Sequence, residues 1–237
     1  MSKTELGDAV PMSVDNFKYT DDDITREKFF GLLMSSGSMN NTYYMGVKTL
    51  KIPQDLWNYQ EIFNNQRPTL VIETGTFNGG SALYMAHLFE NMGGPGRIIS
   101  IDIDSKVYPQ HPRITYLTGS STDPEIVEKV KSLIKPTDKI MVILDSDHSS
   151  KHVEEEMRLY GPLVTDDQYM IVEDTFIFNS EKNESPRVAV NRFFDNPEHQ
   201  KNWIIDQGKH KFQVTLNPYG YLFKKGLWGR TAGLMVK

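Results

Sequence analysis

Residues 69–92 read TLVIETGTFNGGSALYMAHLFENM: a short apolar run, a glycine-rich turn and a helical pattern in succession. TLVIE (69–73), bounded by Pro68 and Gly75, has the length and branched content of a buried strand. SALYMAHLFENM (81–92) spaces its apolar residues at helical intervals and stops at Gly93-Gly94. The same alternation continues downstream, which is the pattern of a mainly parallel sheet. RIISID (97–102) and ITYLTG (114–119) are the next strands, and DPEIVEKVKSLI (123–134) is a helix with Asp123 as N-cap. KIMVILD (139–145) and QYMIVED (168–174) are apolar enough to be strands buried on both faces, with a polar helix between them ending at Tyr160. KFQVTL (211–216) and YLFKK (221–225) alternate about an Asn-Pro-Tyr-Gly turn and predict an antiparallel hairpin. The expected class is α/β: a Rossmann-like, mostly parallel open sheet with helices on both faces and a C-terminal antiparallel hairpin. A flavodoxin-like sheet meets the same coarse pattern.

Upstream of this core the pattern is looser. Residues 1–20 are polar, and Asp21, Asp22 and Asp23 precede ITREKFFGLLM, where carboxylates favour the positive end of a helix starting near Ile24. SSGSMNN (35–41) breaks that helix, TYYMGVKTLKIP (42–53) runs to a proline stop, and DLWNYQEIFNNQ (55–66) predicts a further helix. The division expected is an extension with one helix over 1–41 and a single catalytic domain over 42–237. The 237 residues carry 26 Lys and Arg against 31 Asp and Glu, a net charge of -5, with no concentrated basic face for nucleic acid. No apolar run is long enough for a membrane helix, and MSKTELGDAV lacks the pattern of a secretory leader. The absence of cysteine removes disulfides, thiolate metal sites and cysteine nucleophiles, and fits a cytoplasmic enzyme. Oligomeric state stays open, a homo-oligomer included.

Within the opening stretch, VIETGTFNGGS (71–81) is the sharpest local signal. Glu73 ends a strand, Gly75, Gly79 and Gly80 follow, and Ser81 opens a helix. Glycines let the backbone turn tightly and approach a ligand. The spacing differs from the dinucleotide fingerprint, and a carboxylate just before the loop repels a pyrophosphate but attracts an amino group. S-adenosylmethionine has an amino group and no phosphate. The second strand ends in Asp102 and Asp104, about 20–30 residues past the first glycine, where an acidic residue holds ribose hydroxyls. Thr76 and Asn78 in the loop, Gly119-Ser120 after the third strand and Asp145 complete the candidate cofactor contacts. The bland alternative is an ordinary strand-to-helix turn with an exposed strand end at Asp102.

Two further strands end in carboxylates, at Asp145 and at Glu173-Asp174. In a parallel sheet these ends converge on one edge. Three carboxylates with no Lys or Arg nearby in sequence repel unless a cation sits among them, and oxygen ligands select Mg2+, Mn2+ or Ca2+. Solvated strand ends are the alternative. His148 lies three residues past Asp145, where a neutral imidazole could act as a base or be merely structural. His152, a helical turn on, is expected at the surface.

The blocks 42–62, 71–82, RIISIDID (97–104), ILDSDHSSKHVEEEMRLY (143–160) and YMIVEDT (169–175) together resemble the cephalosporin hydroxylase family, over roughly residues 42–225. That family has the class I methyltransferase fold and binds S-adenosylmethionine and Mg2+. Its metal site is similar to that of the macrolide-sugar O-methyltransferases, whose Asp-x-x-His motif and Glu-Asp pair supply ligands and base. The resemblance implies Asp145, Glu173 and Asp174 as metal ligands and His148 as general base. It implies an O-methyltransferase acting on a hydroxyl of a sugar or small natural product, and a vicinal diol suits a chelating cation. FIFNSEKNESPRVAVNRFF (176–194) lacks the Gly-Pro-rich run expected of many relatives, which puts the acceptor's identity in doubt. Two other readings are a non-haem Fe(II) hydroxylase, needing His148 and His152 with a carboxylate, and a non-catalytic cofactor-binding partner protein.

Overall fold

Hydrophobic residues at both parities along the central strands decide the architecture. Leu70 and Ile72 of β3 (Leu70–Thr74) face one way with Val142 and Leu144 of β6 (Ile140–Leu144). Val71, Met141 and Ile143 face the other way, in a separate cluster. Each face needs a helical cover, and the chain supplies both. A computed structural model of the chain describes residues 21–176, 185–210 and 215–226, with backbone alone for 21–27.

The elements run α1 (Asp21–Ser35), a small ribbon of β1 (Tyr43–Tyr44) and β2 (Val47–Lys48), α2 (Pro53–Gln66), β3, α3 (Gly80–Asn91), β4 (Arg97–Asp102) and β5 (Ile114–Thr118). Then follow α4 (Pro124–Ser132), β6, α5 (Ser150–Tyr160), β7 (Tyr169–Val172), α6 (Pro186–Phe194), α7 (Pro197–Asn202), β8 (Trp203–Ile205) and β9 (Tyr221–Lys224). Strand order is β5-β4-β3-β6-β7-β9-β8. The first five are parallel, and β9 runs antiparallel to both β7 and β8. The order reverses between β3 and β6, which is the switch point where open α/β sheets bind ligands. Tyr59, Ile62 and Phe63 of α2 and Met85 and Phe89 of α3 cover one face; Val127, Val130, Val153 and Met157 of α4 and α5 cover the other. Asp123 caps α4 by accepting from the Glu125 N–H, as its sequence predicts.

The antiparallel closure is present. Among the described residues β9 pairs with Trp203–Ile205 on the side away from β7, whereas the expected strand 211–216 falls largely on residues that are not described. Residues 211–214 lie outside the described residues. Thr215 and Leu216 are held by Asp55, which accepts from the Thr215 hydroxyl and the Leu216 N–H. The Asn-Pro-Tyr-Gly turn itself forms, with the Gly220 N–H donating to the Asn217 carbonyl.

At the opposite edge from the strand ends that form the site, Arg97 grips Asp138 through two contacts of 2.8 and 2.7 Å. Asp138 also accepts from the Lys135 N–H. The Arg97 hydrogen bonds, outweighing burial, hold the Asp138 pKa below the usual carboxylate range. A depressed folded pKa adds stability that is present above the unfolded value and is lost as pH falls through the folded one. Asp138→Asn is expected to cost about 3 kcal/mol at neutral pH. The gap to wild type in denaturant titrations should narrow below about pH 4; a constant gap would show that shape, not charge, sets the cost.

Candidate active site

Cross-strand hydrogen bonds continue past the ends of the parallel strands and set the site in a row. The Gly75 N–H donates to the Ile101 carbonyl (2.8 Å), Asp145 N–H to Thr74 (3.1 Å) and Glu173 N–H to Leu144 (2.9 Å). Gly75 has φ +85, and a Cβ there would lie 1.8 Å from the Asp145 carbonyl oxygen. The loop after β3 and the acid after β6 are therefore in backbone contact, which only glycine permits.

A cavity of about 640 Å³ opens over this row, a size that suits a small-molecule ligand. Of the residues singled out in the sequence, Gly75, Thr76, Ser81, Asp102, Asp104, Gly119, Ser120, Asp145, His148 and Asp174 line it. Glu73, Asn78, Gly79 and Glu173 do not. Asp102 accepts from the Phe77 N–H through Oδ2 (2.7 Å) and from the Asp104 N–H through Oδ1 (2.9 Å). It thereby staples the loop, where Phe77 takes φ +53, to the end of β4. Gly119 continues the row by donating to the Asp102 carbonyl.

Glu73 is 1% exposed and plays a different part from the one its position suggests. Its two oxygens accept from the hydroxyls of Ser81 and Ser100, each at 2.5 Å. Burial pushes its pKa up to about 7, and the serine hydrogen bonds pull the other way. The carboxyl joins α3 to β4 beneath the loop and presents nothing to the cavity.

The acidic cluster is more compact than its sequence spacing tells. One donor atom each from Asp145, His148 and Asp174 lie within 4.8 Å of one another. His148 Nε2 is 3.2 Å from Asp174 Oδ2 and 3.8 Å from Asp145 Oδ1. Asp145, ahead of Asp174 and against the effect of burial, raises the His148 pKa above its ordinary value. Burial and then repulsion from Asp145 push Asp174 up to about 7. Asp174 also holds φ +55, a conformation that aspartate tolerates, and its N–H donates to Asn217.

No Lys or Arg lies near these acids in sequence, and the repulsion among them calls for a cation. The fold brings one from far along the chain. Lys51, 94 residues before Asp145, brings its ammonium 2.5 Å from Asp145 Oδ2 and 3.2 Å from Glu173 Oε1. Burial pushes the Lys51 pKa down, but Asp145, Glu173 and Asp174 more than reverse this. Glu173 is 2% exposed and lies beneath the cavity floor, on the lysine side of Asp145. Nothing in TYYMGVKTLKIP marks one lysine for burial; only the charge imbalance of three converging acids hints at it. His152 departs from expectation as well. It is part-buried, lines the cavity, meets the Ser121 hydroxyl at 3.1 Å and lies 3.5 Å from Glu156. It is therefore engaged away from Asp145 and Asp174, and the two-histidine arrangement of an iron hydroxylase does not form.

Comparison with known proteins fits this geometry. A curated rhamnosyl O-methyltransferase of Mycobacterium bovis BCG is 34% identical over 216 residues, 87% of each chain. Another, of Mycobacterium leprae, is 44% identical over 140 residues, 57% of this chain and 61% of that one. A solved structure of CmcI with Mg and SAM shares the fold, with a TM-score of 0.59 at 18% identity over 78% of this chain and 77% of that one. The profile of rhamnosyl O-methyltransferase/CmcI matches residues 36–225, which include the glycine loop and all the acids of the cluster. By that match and by its similarity to the mycobacterial enzymes, the chain belongs to the rhamnosyl O-methyltransferase/CmcI family.

Proposed function

We propose that the protein transfers the methyl group of S-adenosylmethionine to a hydroxyl of a sugar, a rhamnosyl unit or a similar vicinal diol, aided by Mg2+ or Mn2+. The observation that carries this reading is one cavity at the switch point that holds Asp102 at one side and the Asp145–His148–Asp174 cluster at the other. The names of the mycobacterial relatives supply the acceptor class. The division into an extension over 1–41 and a catalytic unit over 42–237, and action in the cytoplasm, belong to the same proposal.

The residues fit both groups. The loop offers backbone and a ribose-binding acid without a phosphate cradle. The cluster is rich in carboxylate oxygen and short of positive charge, as the raised Asp174 pKa indicates. When bound, S-adenosylmethionine supplies an activated methyl group and the divalent ion supplies Lewis acidity. The protein's own part is alignment and proton transfer. Gly75 and Asp102 fix the loop that would receive the donor; Asp145 and Asp174 would hold the cation, while Glu173, a ligand by the family resemblance, lies buried against Lys51; His148 Nε2 would accept the proton of the acceptor hydroxyl.

Calorimetry should show S-adenosylhomocysteine binding and no NAD binding. Asp102→Ala should weaken the former at least about tenfold, or about 1.4 kcal/mol. Labelled methyl transfer to a panel of rhamnosides tests the acceptor class. Tight NAD binding, or an Asp102→Ala variant of unchanged affinity, would overturn the cofactor assignment.

A further inference from the structure

Lys51 is the least expected member of the site. Its side chain is 6% exposed, and its backbone is clamped on both sides. The Thr49 N–H donates to the Thr42 carbonyl, and a Cβ on Gly80 would meet Thr49 Oγ1 at 1.8 Å, so the strap lies hard against the start of α3. Ile52 is 2% exposed and Pro53 begins α2. The ammonium therefore has little room to swing out of the cluster.

It takes Oδ2 of Asp145 and Oε1 of Glu173, while Oδ1 of Asp145 faces His148. Among the described residues Glu173 Oε1 has no hydrogen-bond partner, and Lys51 is the cation beside it. With Asp145, Glu173 and Asp174 ionised and His148 neutral, the state that a bound cation favours, three carboxylates against one ammonium leave two negative charges, the complement of a divalent ion. Without the ammonium three remain.

We infer that Lys51 is the resident cation of the cluster: it balances Asp145 and Glu173 when no metal is bound, and it matches the site to a divalent rather than a trivalent ion. The inference rests on the metal reading of the proposed function. Lys51 is a positioning residue acting through its two acids, and its fixed charge repels any second cation that enters. Removing the charge therefore tightens ion binding, and more so for a trivalent ion. Loss of mere structural support would loosen both alike.

The test titrates wild type, Lys51→Met and Lys51→Arg with Mn2+ by electron paramagnetic resonance and with Tb3+ by luminescence, S-adenosylhomocysteine being present throughout. Lys51→Met should bind Mn2+ about tenfold tighter and Tb3+ about thirtyfold tighter than wild type, while Lys51→Arg stays close to wild type. Metal-free Lys51→Met should melt below wild type and be raised further by Mn2+ than wild type is. Should that variant fail to fold, Lys51→Met/Glu173→Gln restores two negative charges; it should fold and keep the wild-type preference between the ions. Weaker or unchanged binding by Lys51→Met, or an unchanged ratio of Tb3+ to Mn2+ affinity, overturns the inference while leaving the metal reading intact. If neither wild type nor Lys51→Met binds either ion, the metal reading falls and takes this role of Lys51 with it. A double variant that favours Tb3+ as strongly as Lys51→Met does would also overturn it.

Discussion

An Asp145→Ala/Asp174→Ala double variant is expected to retain less than about one thousandth of wild-type turnover at any Mg2+ concentration, a loss of about 4 kcal/mol in the transition state. Both side chains meet His148 at the cavity floor, and both oxygens facing it disappear together. The fold should survive, because Lys51 and Glu173 remain as a neutral pair at 3.2 Å. Asp147→Ala serves as the control: that carboxylate lines the same cavity but is hydrogen-bonded to Ser149, whose N–H it accepts at 2.8 Å. Wild-type activity should vanish on exhaustive chelation and return with Mg2+ or Mn2+, while the double variant responds to neither. Full activity after chelation would remove the metal from the scheme.

His148→Ala should lower kcat by about 10²–10⁴-fold and leave S-adenosylhomocysteine affinity nearly unchanged. A base must be neutral to accept a proton, so wild-type kcat should climb with pH as imidazolium is lost. Asp145 and then Asp174 move that climb above the usual histidine range, and a bound divalent ion moves it back down. The variant should lose the climb itself, a change that a mere packing defect would not produce. His152→Ala should keep it, because that ring meets Ser121 and Glu156 instead. Wild-type turnover in His148→Ala would assign the proton to water or to another group.

The strand-helix alternation was legible because apolar runs such as KIMVILD and the turn glycines report local geometry directly. So was the convergence of Asp102, Asp145 and Asp174 on one cavity, since parallel pairing delivers successive strand ends to one edge. Two kinds of information were not legible. Which side of its strand an acid faces depends on parity: Glu73 shares parity with Val71 and is buried under α3, where two serines hold it. Long-range partners were hidden as well. Lys51 reaches Asp145 across 94 residues, and Asp55 holds Thr215 and Leu216 from the far end of the chain. Periodicity has no term for such contacts.

The contact between Gly75 and the Asp145 carbonyl bears on the precision that the proposed reaction demands. Methyl transfer requires carbon and oxygen about 3 Å apart in line, and small errors are costly. Here the loop after β3 rests directly on the main chain that bears Asp145, with no side chain between them. In the proposed reaction the spacing between donor and cation would thus be set by the sheet's own ladder. Position 75, by the same logic, admits no residue but glycine.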